Sequence, residues 1–321
     1  MKLVFLDAQT IGGDISLSGF RRLGEVTAYP FSTAEEAHSR TIDADVIITN
    51  KVPINEQTVG NASHLKLVCV TATGTNHLDK EYLKKKNIAW RNVAGYSTNS
   101  VAQHTFAMLF YLLEKLRFYD DYVKKEHYAD DRSFSHFSET FHELSGMIWG
   151  IIGLGNIGRK VAAIAETFGA EIIYTSPSGN PPQEGYKQVD LDTLLRTSDI
   201  ISIHAPLNEY TENLIRADAF HKMKKNCILL NLGRGPIVNE QDLCDALENN
   251  MIAAAGLDVL CTEPMSPDNP LLKIRDSRKL FITPHVGWAS VEARTRLIKI
   301  VQTQIEEYFH FGQSESTILM T

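Results

Sequence analysis

Ile148-Trp149-Gly150-Ile151-Ile152-Gly153-Leu154-Gly155-Asn156-Ile157-Gly158-Arg159 runs from an apolar strand through a Gly-x-Gly-x-x-Gly turn into the helical pattern Val161 to Phe168. A second apolar strand, Glu171-Ile172-Ile173-Tyr174-Thr175, follows and completes the βαβ unit that gives this glycine spacing its meaning. Gly153 permits the tight turn, Gly155 lets backbone approach a pyrophosphate, and Gly158 allows close packing of helix on strand. The helix N-terminus then presents oriented N–H donors to the anion. The stretch predicts a dinucleotide site in mid-chain, with about 145 residues before it free to form a separate unit.

From Ile148 onward strands alternate with helices: Ile172 to Thr175, Ile200 to His204, Cys227 to Asn231, Ala254 to Asp258 and Leu280 to Thr283. Alternation of buried apolar strands with helices is the pattern of a doubly wound parallel sheet. Before it, Lys2 to Leu6, Val46 to Thr49, Lys66 to Val70 and Ala89 to Asn92 read as the strands of a smaller α/β domain. Val101 to Lys125 reads as one long helix capped by Asn99 or Ser100, and Ser290 to Phe311 as a closing helix long enough to return to the first domain. Glu126 to Leu144, rich in His, Ser, Asp and Phe, lacks periodicity and reads as an extended arm lying over another surface.

With 321 residues, 43% hydrophobic and 22% charged, the chain has material for two cores. A net charge of −7 argues against nucleic acid and membrane surfaces as partners, so a small ligand is expected. The run Met1 to Asp7 is too short for a signal h-region and no stretch approaches a membrane span, which predicts a cytoplasmic protein. Cys69, Cys227, Cys244 and Cys261 lack C-x-x-C pairing and read as structural thiols. Lys84 to Lys86 reads as a solvated helix face, and His127, His136 and His142 lack metal-ligand spacing, so no metal site is expected.

Three polar residues follow successive strand ends of the second domain: Arg234 after Asn231-Leu232-Gly233, Glu263 after Gly256-Leu257-Asp258, and His285 after Thr283-Pro284. Those ends open onto the ligand crevice in an open α/β sheet. Together the three suit reduction of a ketone beside a carboxylate: His as acid, Glu keeping the proton on it, and Arg offering a bidentate fork.

Further segments match in order: Thr71-Ala72-Thr73-Gly74-Thr75-Asn76-His77-Leu78-Asp79, Gly95-Tyr96-Ser97-Thr98-Asn99-Ser100-Val101-Ala102-Gln103-His104-Thr105, and Ser202-Ile203-His204-Ala205-Pro206-Leu207. With the glycine fingerprint and the three strand-end segments, the chain resembles the D-isomer-specific 2-hydroxyacid dehydrogenase family over nearly its whole length. The resemblance implies two Rossmann-like or flavodoxin-like α/β domains with parallel sheets. Residues 1–99 plus 289–321 would form the substrate domain, and residues 100–288 an inserted NAD(P)-binding domain. It also implies a homodimer built on the cofactor domains, the Val101 helix and the arm.

By the family pattern Arg234 holds the substrate carboxylate and carbonyl, His285 protonates the carbonyl oxygen, and Glu263 hydrogen-bonds His285. Backbone amides of Ala72, Thr73 and Gly74 would receive the carboxylate. Lys51, Arg91 and Trp288 are candidate selectors of the substrate side chain. Gly153, Gly155, Asn156, Ile157 and Gly158 would hold the cofactor, with Thr175, Ser176, His204, Ala205, Pro206, Thr211, Leu232, Gly233, Asp258 and Gly287 lining its two halves. The acid that normally ends the second strand is absent, since Thr175, Ser176, Pro177 and Ser178 occupy that stretch, so NAD is expected with NADP not excluded. The loops Thr71 to Asn76 and Val286 to Ala289 resemble the glycerate and hydroxypyruvate branch. Alternatives are a D-lactate or 2-hydroxyisocaproate type of dehydrogenase, or a nucleotide-sensing corepressor-like protein.

Overall fold

A computed structural model describes residues 1–179, 181 and 184–311. The chain divides into two compact units, Met1–Ser97 with Ala289–Thr321, and Thr98–Trp288. Residues 312–321, assigned above to the substrate domain, lie outside the described residues.

The first unit holds a parallel sheet of β1 (Lys2–Phe5), β2 (Glu25–Ala28), β3 (Val46–Thr49), β4 (Leu67–Val70) and β5 (Ala89–Arg91), in the order β2-β1-β3-β4-β5. β3 and β4 are buried at every residue, which is why Val-Ile-Ile-Thr and Leu-Val-Cys-Val read as continuous apolar runs without alternation. Cys69 lies inside β4, where burial pushes its thiol up to about 12. α1 (Ala34–Arg40), α2 (Glu56–Val59) and α3 (Lys80–Lys85) connect the strands, each started by a side chain that accepts a first-turn amide: Thr33, Asn55 and Asp79. The helix Val291–Phe311 packs against β4, and Lys84 to Lys86 are exposed. The order places the topological switch between β1 and β3. There the buried Asp7 carboxylate accepts the amides of Asn50 at 2.9 Å and Lys51 at 2.7 Å, joining the two strand ends.

The second unit begins with α4 (Thr98–Leu113) and α5 (Leu116–Lys124). This corrects the single long helix expected from sequence: Lys115 stands at φ 56°, in the left-handed region, and breaks it. Asn99 and Ser100 fall inside the first turn of α4 instead of capping it. A seven-stranded parallel sheet follows, of β6 (Ile148–Ile152), β7 (Glu171–Thr175), β8 (Lys187–Gln188), β9 (Ile200–Ile203), β10 (Ile228–Asn231), β11 (Ala254–Leu257) and β12 (Leu280–Ile282). Its order, β12-β11-β10-β9-β6-β7-β8, is that of the dinucleotide-binding fold extended by one strand.

Helices α6 (Asn156–Thr167), α7 (Leu191–Thr197), α8 (Ala217–Phe220) and α9 (Glu240–Glu248) cross between the strands. One core gathers Ile201, Ile203, Phe220, Leu229 and Leu243; the other gathers α4 and α6 around Trp149, whose Nε1 donates to Ser202 Oγ at 2.8 Å. Cys227, just before β10, is wholly buried and its thiol is likewise pushed up to about 12. The arm is fastened to its own unit: Tyr119 donates to the Glu139 carbonyl at 2.9 Å and Arg278 pairs with the Glu139 carboxylate. Yet Phe134 and Phe137 stay 90% and 85% exposed. Among the described residues no helix is long and apolar enough to cross a membrane.

Candidate active site

In the second unit the sheet order changes direction between β6 and β9, and the glycine turn lies at that point. Gly153 stands at φ 94°, and a Cβ there would come within 2.8 Å of the Ala205 backbone beyond β9. A Cβ at Gly158 would come within 2.3 Å of the Gly153 carbonyl, so α6 can seat on its strand only with glycine here. A Cβ at Gly155 would meet nothing within 4 Å: its surface faces open space. No side chain caps α6, and the amides of Asn156, Ile157 and Gly158 find no acceptor among the described residues. A tight turn, an open backbone face and three free first-turn donors fit the pyrophosphate of a dinucleotide.

Around that turn, Thr175 is buried at the end of β7 and Ser176 follows half-buried. His204 leaves β9 with Nε2 at 3.1 Å from Ser202 Oγ, while its Nδ1 is buried without a partner; burial pushes the imidazole down to about 3, so the ring is neutral. Pro206 offers its carbonyl to the Thr211 hydroxyl at 2.7 Å, and that hydroxyl also accepts the Asn208 amide. Thr211 therefore closes the turn after β9 from a wholly buried position. Leu232 and Gly233 are buried after β10, where Asn231 accepts the Gly233 amide at 3.1 Å.

Arg234, Glu263 and His285 emerge beyond the ends of β10, β11 and β12. The Arg234 guanidinium donates to the Gly233 carbonyl at 2.7 Å and has no carboxylate partner among the described residues. His285 stands at φ 55° with Nδ1 2.7 Å from Glu263 Oε2, and Glu263 Oε1 accepts the Leu260 amide at 3.0 Å. Both side chains stay partly open to solvent, at 25% and 31%. Thus the structure brings His285 and Glu263 into contact and leaves the Arg234 fork unneutralised.

Asp258 lies within a network of hydrogen bonds. Its side chain is only 4% exposed and is enclosed by its own unit: Oδ1 accepts Thr283 Oγ1 at 2.6 Å and the Val286 amide at 2.9 Å, and Oδ2 accepts the Gly287 amide at 2.9 Å. Burial alone would push this carboxyl up, but hydrogen bonds from His104, Thr283, Gly287 and Val286 outweigh it and hold it below the usual carboxylate value. Trp288 packs partly buried against the core around Trp149. His104, quoted in a motif but given no part from sequence, joins this cluster; its position on α4 four residues after Ser100 was the available signal.

In the first unit, the loop after β4 is pinned by Thr73 Oγ1 on the Val93 carbonyl at 2.9 Å and by Asn92 Nδ2 on the Thr73 carbonyl at 2.7 Å. The amides of Ala72, Thr73 and Gly74 find no acceptor among the described residues, an arrangement suited to an anion. Lys51 and Arg91 are exposed.

Residues 106–287 match the NAD-binding domain of the D-isomer-specific 2-hydroxyacid dehydrogenases. The chain is 37% identical over 314 residues to a hydroxypyruvate reductase of Blautia hydrogenotrophica, covering 96% of this chain and 97% of that protein. It is 34% identical over 308 residues to a glycerate dehydrogenase of Methylorubrum extorquens, covering 96% of each. Among solved structures it resembles an acyclic imino acid reductase in complex with NADPH and D-arginine, at 29% identity and a TM-score of 0.85 over the whole of both chains. A family match across this sheet, with full-length relatives well above 30% identity, places the chain in the D-isomer-specific 2-hydroxyacid dehydrogenase family, a group of NAD(P)-dependent oxidoreductases of 2-hydroxy acids.

Proposed function

We propose that the protein reduces a small 2-oxo acid to the D-2-hydroxy acid, with hydroxypyruvate as the preferred substrate and glyoxylate a secondary one. The observation that carries this reading is the His285–Glu263 pair at 2.7 Å, at the same end of the strands as an Arg234 with no acidic partner among the described residues. A dinucleotide held at the glycine turn of Gly153, Gly155 and Gly158 would supply the hydride, two electrons and a proton, that reduces the carbonyl carbon. The carbonyl oxygen then needs one more proton, and His285 is the acid for it. Its Nδ1 faces Glu263, which leaves Nε2, without a hydrogen bond among the described residues, to carry that proton.

Glu263 fixes the ring plane and offsets the positive charge of the protonated imidazole. Arg234 anchors the carboxylate beside the carbonyl through its planar fork. In the first unit the amides of Ala72, Thr73 and Gly74, without an acceptor among the described residues, suit an anionic group. Hydroxypyruvate is supported by the two relatives described above, each matching 96% of the chain. The end of β7, with Thr175 and Ser176, offers no carboxylate to repel a 2′-phosphate, so both NADH and NADPH are admitted. We assign the exposed aromatic arm, with Phe134 and Phe137, to a second copy of the chain in a homodimer.

The test is oxidation of NADH and of NADPH by the purified protein across hydroxypyruvate, glyoxylate, pyruvate, 2-oxoisocaproate and 3-phosphohydroxypyruvate. Turnover is expected to be fastest with hydroxypyruvate. Preference for a branched or phosphorylated acid would overturn the substrate, and dinucleotide binding with no turnover of any acid would overturn the catalytic reading in favour of a nucleotide sensor.

A further inference from the structure

We propose that His104, on α4, is a positioning residue for the proton donor: through Thr283 and Asp258 it holds the segment that carries His285. The inference rests on the assignment of His285 as that donor.

The segment needs holding. His285 sits at φ 55°, a left-handed conformation that is uncommon outside glycine and is held here by hydrogen bonds on both sides of it. The group that accepts them is Asp258. Its carboxylate takes a hydroxyl from Thr283, two residues before His285, and amides from Val286 and Gly287, the two residues after it, all at 2.6–2.9 Å. The turn around His285 is thereby wrapped on one buried anion.

His104 completes that wrapping from behind. An ionised carboxylate only accepts, so the Thr283 hydroxyl proton is committed to Asp258 Oδ1, and Thr283 Oγ1 must itself accept from His104 Nε2 at 3.0 Å. Nε2 of His104 therefore carries a proton. The same nitrogen lies 3.4 Å from Asp258 Oδ1 and adds its field to the anion. One turn earlier, Ser100 donates to the Gly287 carbonyl at 2.6 Å. Ser100 and His104 share one helix face, and the adjacent face of α4 is locked into the core by Val101, Thr105, Met108 and Leu112.

The fit is close enough to be specific. A Cβ on Gly287 would come within 2.8 Å of Asp258 Oδ2 and 3.2 Å of His104 Cδ2, so the turn lies directly against the imidazole. Loss of the His104 donor leaves the Thr283 oxygen and one side of the Asp258 carboxylate unsupported, and the His285 turn relaxes. Displacement of an acid by about 1 Å costs on the order of 100-fold in rate.

The experiment compares His104→Leu, which removes the donor at similar volume, with His104→Gln, whose amide N–H reaches where Nε2 does. kcat with hydroxypyruvate, Kd for the dinucleotide by fluorescence titration and Tm are measured for both, with His285→Ala alongside. The expected result is a fall in kcat on the order of 10- to 100-fold in the leucine variant with Kd unchanged, and recovery of most of that kcat in the glutamine variant. If the leucine variant does not fold, His104→Asn, too short to reach Thr283, is read against His104→Gln in the same way. With His285→Ala inactive, a leucine variant within about twofold of wild type, or a loss that glutamine does not restore, overturns the positioning role alone. An active His285→Ala variant overturns the donor assignment and this proposal with it.

Discussion

Glu263 holds the imidazole of His285 with one carboxylate oxygen, at 2.7 Å from Nδ1, and the backbone of its own loop with the other, at 3.0 Å from the Leu260 amide. The carboxylate is thus a bridge from the β11 loop to the β12 loop. Glu263→Gln keeps the size and one acceptor but removes the charge facing Nδ1. kcat for reduction should fall about tenfold or more while the dinucleotide Kd is unchanged, since a positioned acid contributes roughly 10²–10⁴-fold. Steady-state kinetics beside a fluorescence titration checks it, and an unchanged kcat would contradict the role given to Glu263.

The glycine turn separates folding from binding. At Gly158 an added Cβ meets the Gly153 carbonyl at 2.3 Å, whereas at Gly155 it meets no protein atom within 4 Å. Gly158→Ala should therefore cost about 1–3 kcal/mol of stability through overpacking, together with weaker nucleotide binding. Gly155→Val should leave Tm within a degree or two of wild type, as for a surface change, yet weaken nucleotide binding on the order of tenfold or more by filling the space a pyrophosphate needs. Equal effects of the two on Tm would contradict this division.

Exposed aromatics on the arm bear on assembly. Phe134 and Phe137 are 90% and 85% exposed, a cost that a partner surface removes. A Phe134→Asp, Phe137→Asp double variant should shift the species seen by light scattering from dimer to monomer at micromolar concentration. A wild-type protein that is already monomeric would rule out the assigned partner.

Two histidines are expected to weaken the fold on the acid side. Burial pushes His204 down to about 3, and burial with the nearby Lys51 pushes His77 down to about 4, from 6.5. Below about pH 6.5 the unfolded chain binds protons at these positions that the native chain refuses, so stability is full above that pH and falls steadily towards pH 4. Urea unfolding at pH 7.5, 6 and 5 should show this decline, and His204→Gln should flatten it. A slope identical in that variant would show that His204 is protonated in the native protein.

What could be read in the sequence, and what could not, follows from range. The dinucleotide turn was legible because the positive φ at Gly153 and the close approach of Gly158 to the Gly153 carbonyl lie within six residues, although the Ala205 backbone that crowds Gly153 comes from beyond β9. The buried strands β3, β4, β9 and β10 were legible as apolar runs. β2 was not: Glu-Val-Thr-Ala lies at the sheet edge with no buried residue, so no burial pattern marks it. β8 is two residues long. The break at Lys115 was hidden because apolar spacing continues through Leu112, Leu113 and Leu116, while Leu116 is in fact exposed. Strand ends pointed to Arg234, Glu263 and His285; helical spacing put His104 on one face with Ser100, but its link to Asp258 joins polar residues 154 positions apart, which spacing alone does not reveal.

The most direct measurement is the single-turnover rate of NAD(P)H oxidation with hydroxypyruvate in rapid mixing, wild type against His285→Ala, with dinucleotide binding measured on the same samples. The expected result is a rate lower on the order of 10²–10⁴-fold in the variant with the dinucleotide Kd unchanged, the loss appropriate to a missing general acid. A variant rate within a few-fold of wild type would contradict the role of His285 and would require another source for the carbonyl proton.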